Sequence, residues 1–172
     1  FQNAANAYKR AAALAPGTEE GQYASYQLAH ALYRNSNYEQ SVSSLLDFVR
    51  VYNKSPYSPN ALYLIGWIRF QQRKYAESID NMEFLINAYP QSSLTPRAYY
   101  AIGDAYYNLG KYDEAIKSYK TVIESYPGNE MAPESIKSIQ FCLIALGRES
   151  EAIDIANQYV ESNPESPFAP IF

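Results

Sequence analysis

The chain is poor in the side chains that do chemistry. Of its 172 residues one is cysteine and one is histidine. No internal disulfide can form, no Cys/His set with metal-ligand spacing exists, and no nucleophile and base pair is on offer. A glycine-rich phosphate loop is missing too. Lys and Arg number 14 against 18 Asp and Glu, a net charge of −4 without a basic cluster, so nucleic-acid backbones, which need clustered cations, are poor partners. There is no apolar run of about 18 residues to span a bilayer and no basic-then-apolar start to read as a signal peptide. The chain opens on Phe1 rather than methionine and reads as an excised piece. No cofactor is expected, and no enzymatic activity. Cys142 reads as a small hydrophobe on the apolar side of a helix. The carboxylate pairs Glu19 with Glu20 and Glu149 with Glu151 read as solvated helix-end charges. Asn53-Lys54-Ser55 fits a glycosylation acceptor, a short pattern of low specificity.

What the chain does have is periodicity. Of ten prolines, seven lie on two ladders with a step of 37 residues: Pro59, Pro96, Pro133 and Pro170, then Pro90, Pro127 and Pro164. The same step carries Tyr38 onto Tyr75 and Tyr112, Tyr52 onto Tyr89 and Tyr126, and Leu28 onto Ile65, Ile102 and Ile139. A fixed period without insertions means a repeated structural unit rather than a single globular core.

Each unit reads as two helices. Thr95 is a good N-cap, and Pro96 suits the first helical position, where its missing N–H has no partner anyway. Tyr99, Ile102, Tyr106 and Leu109 then recur at helical spacing, and Gly110 can take the left-handed conformation that ends a helix. Tyr112, Ala115, Ile116, Tyr119, Val122, Ile123 and Tyr126 mark a second apolar stripe, stopped by Pro127 and Gly128. Transferred along the chain, first helices fall at 22–36, 59–73, 96–110 and 133–147, and second helices at 1–15, 38–52, 75–89, 112–126 and 149–163. Ser58 before Pro59 repeats the cap; Ala132 and Ala169 lose the capping oxygen, so those starts should fray. The expectation is an all-α fold in one array over 1–172: a second helix and loop at 1–21, full repeats at 22–58, 59–95, 96–132 and 133–169, and a stub at 170–172. Phe1, Ala4, Tyr8 and Ala11 would carry the apolar side of the opening helix.

These residues resemble the tetratricopeptide repeats. Their succession of large, large, glycine, large, small, aromatic and proline appears as Tyr99, Ile102, Gly103, Tyr106, Ala115, Tyr119 and Pro127, and in the preceding repeat as Leu62, Ile65, Gly66, Arg69, Ser78, Met82 and Pro90. Gly103 and Ala115 would let the helices of a hairpin approach closely. Gln140 in the glycine slot and Ala156 in the aromatic slot suggest a looser last repeat. Arg69, in a slot normally apolar, needs a carboxylate partner or must reach water. The period is longer than the family's usual one, and the extra residues fall after the second helix, as in Tyr89-Pro90-Gln91-Ser92-Ser93-Leu94-Thr95-Pro96. With Ser55-Pro56-Tyr57-Ser58-Pro59 and Asn163-Pro164-Glu165-Ser166-Pro167, this loop resembles the bacterial envelope branch, the outer-membrane assembly lipoproteins and Tol-Pal-associated coordinators. That likeness implies the periplasm or the periplasmic face of the outer membrane, with a cytoplasmic setting as the alternative.

The family resemblance implies a right-handed superhelix whose inner face is lined by first helices. The candidate partner-binding residues on that face are Tyr26, His30 and Tyr33; Asn60, Tyr63, Trp67 and Phe70; and Arg97, Tyr100, Asp104 and Tyr107. Tyr23, Glu134, Lys137, Phe141 and Ile144 share it. Amphipathic rings suit capture of an extended or helical protein segment, although tyrosines here also serve packing. Arg97 and Asp104 could orient a polar ligand or form a solvated charge pair. His30 reads as a groove or packing residue, with no second ligand to make a metal site. A clamp for a terminal carboxylate is set aside, because Tyr26, His30, Leu64 and Ala101 stand where its polar groups belong. The function expected is a non-catalytic scaffold binding a protein or peptide, membrane-associated only through parts outside this chain. The alternatives are a carbohydrate-binding array and a spacer or dimerisation module. Apolar ends at Tyr8, Ala11 and Leu14 and at Ile153, Tyr159 and Val160 point to end-to-end self-association or domain exchange.

Overall fold

The computed structural model of the protein describes residues 2–171; Phe1, expected on the apolar side of the opening helix, lies outside them. Among the described residues every regular element is helical, as the period-3.6 pattern requires. The helices are α1 (Gln2–Leu14), α2 (Glu19–Arg34), α3 (Tyr38–Val51), α4 (Ser58–Gln71), α5 (Tyr75–Ala88), α6 (Thr95–Asn108), α7 (Tyr112–Ser125), α8 (Met131–Ala145) and α9 (Glu149–Ser162), with a short 3-10 turn at Ala169–Ile171. Second helices match the expected spans to within a residue or so at each end, while first helices begin before their expected starts.

The chain forms two compact units, 1–89 and 90–172. In unit 1 each of α1 to α5 packs on its neighbour in sequence; in unit 2, α6 to α9 do the same and α6 also touches α8. The core of unit 1 centres on Leu45, Leu62, Ile65, Ile68, Met82 and Leu85, and that of unit 2 on Tyr119, Val122, Ile136, Ile139 and Cys142. Cys142 is indeed a core residue, and burial first, then the charge of Asp104, pushes its thiol up to about 11, so it stays a thiol.

Hairpin turns are the most uniform feature. After each first helix, residues Ser36, Arg73, Gly110 and Gly147 stand at φ of +60 to +70°. At each, two amide groups return to the last helical turn: Lys111 N–H to Tyr106 O at 2.9 Å and Gly110 N–H to Tyr107 O at 2.9 Å, with the same pattern at the other three. Gly110 takes the left-handed conformation expected of it, and the pair of bonds is a Schellman closure. In the first two hairpins Ser36 and Arg73 hold it without glycine, at a steric cost of about 1 kcal/mol each.

Helix starts depart from expectation. Thr95 and Ser58 do not cap: both lie inside their helices, Thr95 Oγ1 is buried without a hydrogen-bond partner, and Ser58 Oγ donates to Tyr52 O at 2.6 Å. Side-chain acceptors stand three residues earlier: Thr18 caps α2, while those ahead of α4, α6 and α8 bond an amide two residues on, in the turn leading into the helix, and do not cap it. Thr18 Oγ1 accepts from Gly21 N–H at 3.1 Å. Ser55, Ser92, Asn129 and Ser166 accept from the amides of Tyr57, Leu94, Met131 and Phe168 at 3.4, 3.2, 3.0 and 3.3 Å. These five share the 37-residue step and are all residues whose side chains bond to nearby backbone amides. The starts before Pro133 and Pro170 therefore keep a side-chain acceptor that the alanines do not supply.

Close approach within a hairpin is set by glycine against the aromatic slot. A Cβ on Gly103 would lie 2.5 Å from the Tyr119 ring, and one on Gly66 would lie 2.8 Å from the Met82 methyl. In the last repeat Gln140 fills the glycine slot, and its amide donates to Ala152 O at 2.9 Å. Arg69 resolves as anticipated. Only 13% exposed, it pairs with Glu39 at 2.8 Å and Glu77 at 3.0 Å and donates to Gln72 at 2.8 Å. The Arg69 hydrogen bond, then that of Gln72, pulls the exposed Glu39 carboxyl down to about 2.

Candidate functional site

On unit 1 the residues expected on the working face come together as a path of rings. Tyr26 of α2 stacks on Tyr57 (5.7 Å between centroids, 12°), and Tyr23 tilts against the same ring at 5.5 Å. Tyr26 also lies 6.3 Å from His30, which meets Tyr33 edge-on at 6.0 Å. Trp67 of α4 donates its indole N–H to the Tyr33 hydroxyl at 3.2 Å and stacks on Phe70 (5.9 Å, 7°), which meets Tyr75 edge-on at 5.3 Å. The path runs from Tyr23 to Tyr75 across two first helices. Most of these rings are half-buried, but Trp67 keeps 37% of its surface and Tyr23 43%. Asn60 is exposed and Tyr63 half-buried on the same helix. Burial, then the charge of Arg34, lowers the His30 pKa, so the ring is neutral at physiological pH. The indole is thus held at both its N–H and its ring face.

The equivalent face of unit 2 is polar. Asp104 stands where unit 1 has His30 and Trp67, half-buried, and accepts a hydrogen bond from Tyr119 OH at 2.6 Å. Burial raises its pKa and the Tyr119 bond opposes that rise; burial and the Asp104 charge in turn keep the Tyr119 hydroxyl protonated. Tyr100 lies 5.3 Å from the Tyr119 ring, with its hydroxyl 3.3 Å from Ser138 Oγ. Tyr107 meets Tyr112 edge-on at 5.3 Å, and Arg97 pairs with Glu130. Asp104 is thus tied into its own hairpin through Tyr119 rather than presented as a free charge. Beyond it, Phe141 and Ile144 are 63% and 53% exposed, and Lys137 pairs with Glu134 at 3.0 Å.

Two features differ from the sequence reading. Tyr57 joins the ring path although its equivalents are Glu20, Leu94 and Met131, so no period could mark it; a tyrosine between Pro56 and Pro59 was the sole local signal. Of the residues expected at the apolar ends, Leu14 and Ile153 are open, at 85% and 70% exposure, but Tyr159 is not. It is 3% exposed, and its hydroxyl donates to Pro127 O at 2.6 Å.

Helix hairpins with a ring-lined first-helix face define an all-helical repeat protein. The chain belongs to the tetratricopeptide repeat family: tetratricopeptide repeat models match residues 26–93 and 96–129. Solved structures agree on the fold. The crystal structure of MamA is 23% identical, with TM-score 0.71 over 94% of this chain and 87% of that one. A MamA RS-1 double mutant is 19% identical, at 0.70 over 93% and 83%. The nearly identical TPR-like repeats of a putative kinesin light chain from Podosopora anserina are 15% identical, at 0.69 over 92% and 84%. Comparison with curated proteins finds no match. Repeats of this family generally mediate protein–protein interaction and are generally non-catalytic. Among the described residues no helix is long and apolar enough to cross a membrane.

Proposed function

We propose that the protein is a binding scaffold whose first-helix face on unit 1 holds a segment of a partner protein. Tyr26, His30, Tyr33, Asn60, Tyr63, Trp67 and Phe70 are the contact residues, and Arg97, Tyr100, Asp104 and Tyr107 form a second, more polar patch on unit 2. The observation that carries this reading is Trp67, oriented by Tyr33 and stacked on Phe70 yet more than a third exposed. Aromatic anchors of this kind concentrate binding energy because they add area with few rotatable bonds. Repeats 1 to 4 act as one array over 1–172, within a larger bacterial envelope protein; the Ser/Pro-rich loops after the second helices support that setting.

The near-parallel Trp67 and Phe70 rings also offer a face on which a sugar ring can stack, so a glycan is the second candidate. A photo-crosslinking amino acid at position 67, used in cells, with identification of the captured molecule by mass spectrometry, tests both. Capture of a protein at a defined peptide supports the scaffold. A glycan adduct without protein, together with calorimetric heat on adding glycan fragments, would replace it with the second reading.

A further inference from the structure

The second-helix side of unit 1 carries a groove that the ring path does not use. A cavity of about 640 Å³ lies among α3, α4 and α5, lined by Leu46, Val49, Arg50, Lys54, Phe84 and Tyr89 among others. Leu46 is 50% and Phe84 54% exposed, large apolar side chains left facing water. The end of α5 is tied to the end of α3 where Tyr89 OH donates to Asn53 O at 2.6 Å, so the groove is held rather than collapsible.

Repeat symmetry shows that packing does not require this apolar lining. Two repeat steps along, the equivalent groove between α7 and α9 of unit 2 has Lys120 for Leu46, Gln158 for Phe84, Glu124 for Arg50 and Asn163 for Tyr89. Of these two equivalent grooves, the one in unit 1 combines exposed apolar side chains with Arg50 and Lys54 at its rim. Both are exposed, Arg50 being held by Asp47 at 2.7 Å.

We propose that this groove docks an acidic amphipathic segment of a partner protein. One large apolar side chain seats between Leu46 and Phe84, and a neighbouring carboxylate meets Lys54 and Arg50. The apolar pair supplies burial, and the rim, cationic in a chain of net charge −4, selects an acidic segment over a basic one. The site is independent of Trp67, so it stands or falls apart from the reading above.

The test pans a random-peptide phage library on the whole chain, counter-selected against the double variant Leu46→Lys/Phe84→Gln, whose side chains the unit 2 groove already tolerates. A synthetic peptide of the enriched consensus is then titrated calorimetrically. The expected consensus pairs a large apolar residue with Asp or Glu. Its affinity should fall about tenfold or more in the double variant and also fall in Lys54→Glu, a surface change that leaves circular dichroism unaltered, while Trp67→Ala leaves it intact. The proposal is overturned by no enrichment over the double variant, by a neutral or basic consensus, or by binding lost only in Trp67→Ala. It is equally overturned if light scattering finds a dimer that Phe84→Gln makes monomeric, since the occupant is then a second copy of this chain.

Discussion

The two units use one helical plan for opposite surfaces. Unit 1 carries eight Lys and Arg against seven Asp and Glu, unit 2 six against eleven. Where unit 1 places His30 and Trp67, unit 2 places Asp104, and where unit 1 packs Met82 against glycine, unit 2 packs Tyr119. These differences are coupled. The Tyr119 hydroxyl needs an acceptor at the helix surface, and Asp104 provides it at 2.6 Å; Met82 has no such need, which frees the equivalent surface position for an indole. The choice of core residue therefore bears on which group can stand at the helix surface above it.

The sharpest way to break this comparison is at the glycines. Gly103→Ala drives a methyl into a ring fixed by its hydrogen bond, and should cost about 2–3 kcal/mol in urea denaturation. Gly66→Ala meets the end of a flexible thioether and should cost about 1 kcal/mol or less. Equal costs would mean that Tyr119 is not held as described. On the surface side, Trp67→Ala should weaken partner binding by about 1–3 kcal/mol with helicity intact, whereas Tyr107→Ala on unit 2 should cost less; reversed effects measured by calorimetry would move the principal patch to unit 2.

Helix starts give a smaller effect. Ser92→Ala, which removes the turn hydrogen bond from Leu94 N–H, should destabilise by about 1 kcal/mol, and Thr95→Val, which removes an orphaned hydroxyl while keeping the shape, should be neutral or stabilising. A loss at Thr95 larger than at Ser92 in thermal melts would restore the cap to Thr95.

Acid titration should separate the units by sign. The Glu39 carboxyl titrates at about 2 in the fold against 4.5 ordinarily, so the unfolded chain binds its proton first. Its contribution is present above pH 4.5 and is lost as the pH falls towards 2. Asp104 is raised by burial, so the folded state holds that proton more tightly; its contribution is present in acid and lost as the pH rises through the raised value. Across an acid series of urea melts, the stability gap of wild type over Glu39→Gln should grow with pH, and that over Asp104→Asn should shrink. Parallel curves would mean that burial does not raise Asp104 against the opposing Tyr119 bond.

Much of the fold was legible because it repeats. Every helix was foreseeable from apolar spacing and proline position, and so was the left-handed turn at Gly110, since each depends on residues within one turn of the chain. The ladder of turn acceptors Thr18, Ser55, Ser92, Asn129 and Ser166 was equally present in the sequence, but Thr95 beside Pro96 was the more conventional signal, and it was wrong because the helix starts one residue sooner. Of the candidate face, the first-helix positions were legible and their linkage was not. The Trp67 bond to Tyr33 and the stack of Tyr57 on Tyr26 join positions that no repeat step relates.

By itself the sequence determined an all-helical repeat of the tetratricopeptide kind, because periodicity, propensity and turn chemistry act over a few residues and recur at a fixed step. Tertiary structure alone decided that Asp104 is spent on Tyr119, that Tyr159 is buried, and that Leu46 and Phe84 stay open while their counterparts are polar. Those outcomes turn on which side chains meet across neighbouring helices, where distance and burial rather than order along the chain set the energy.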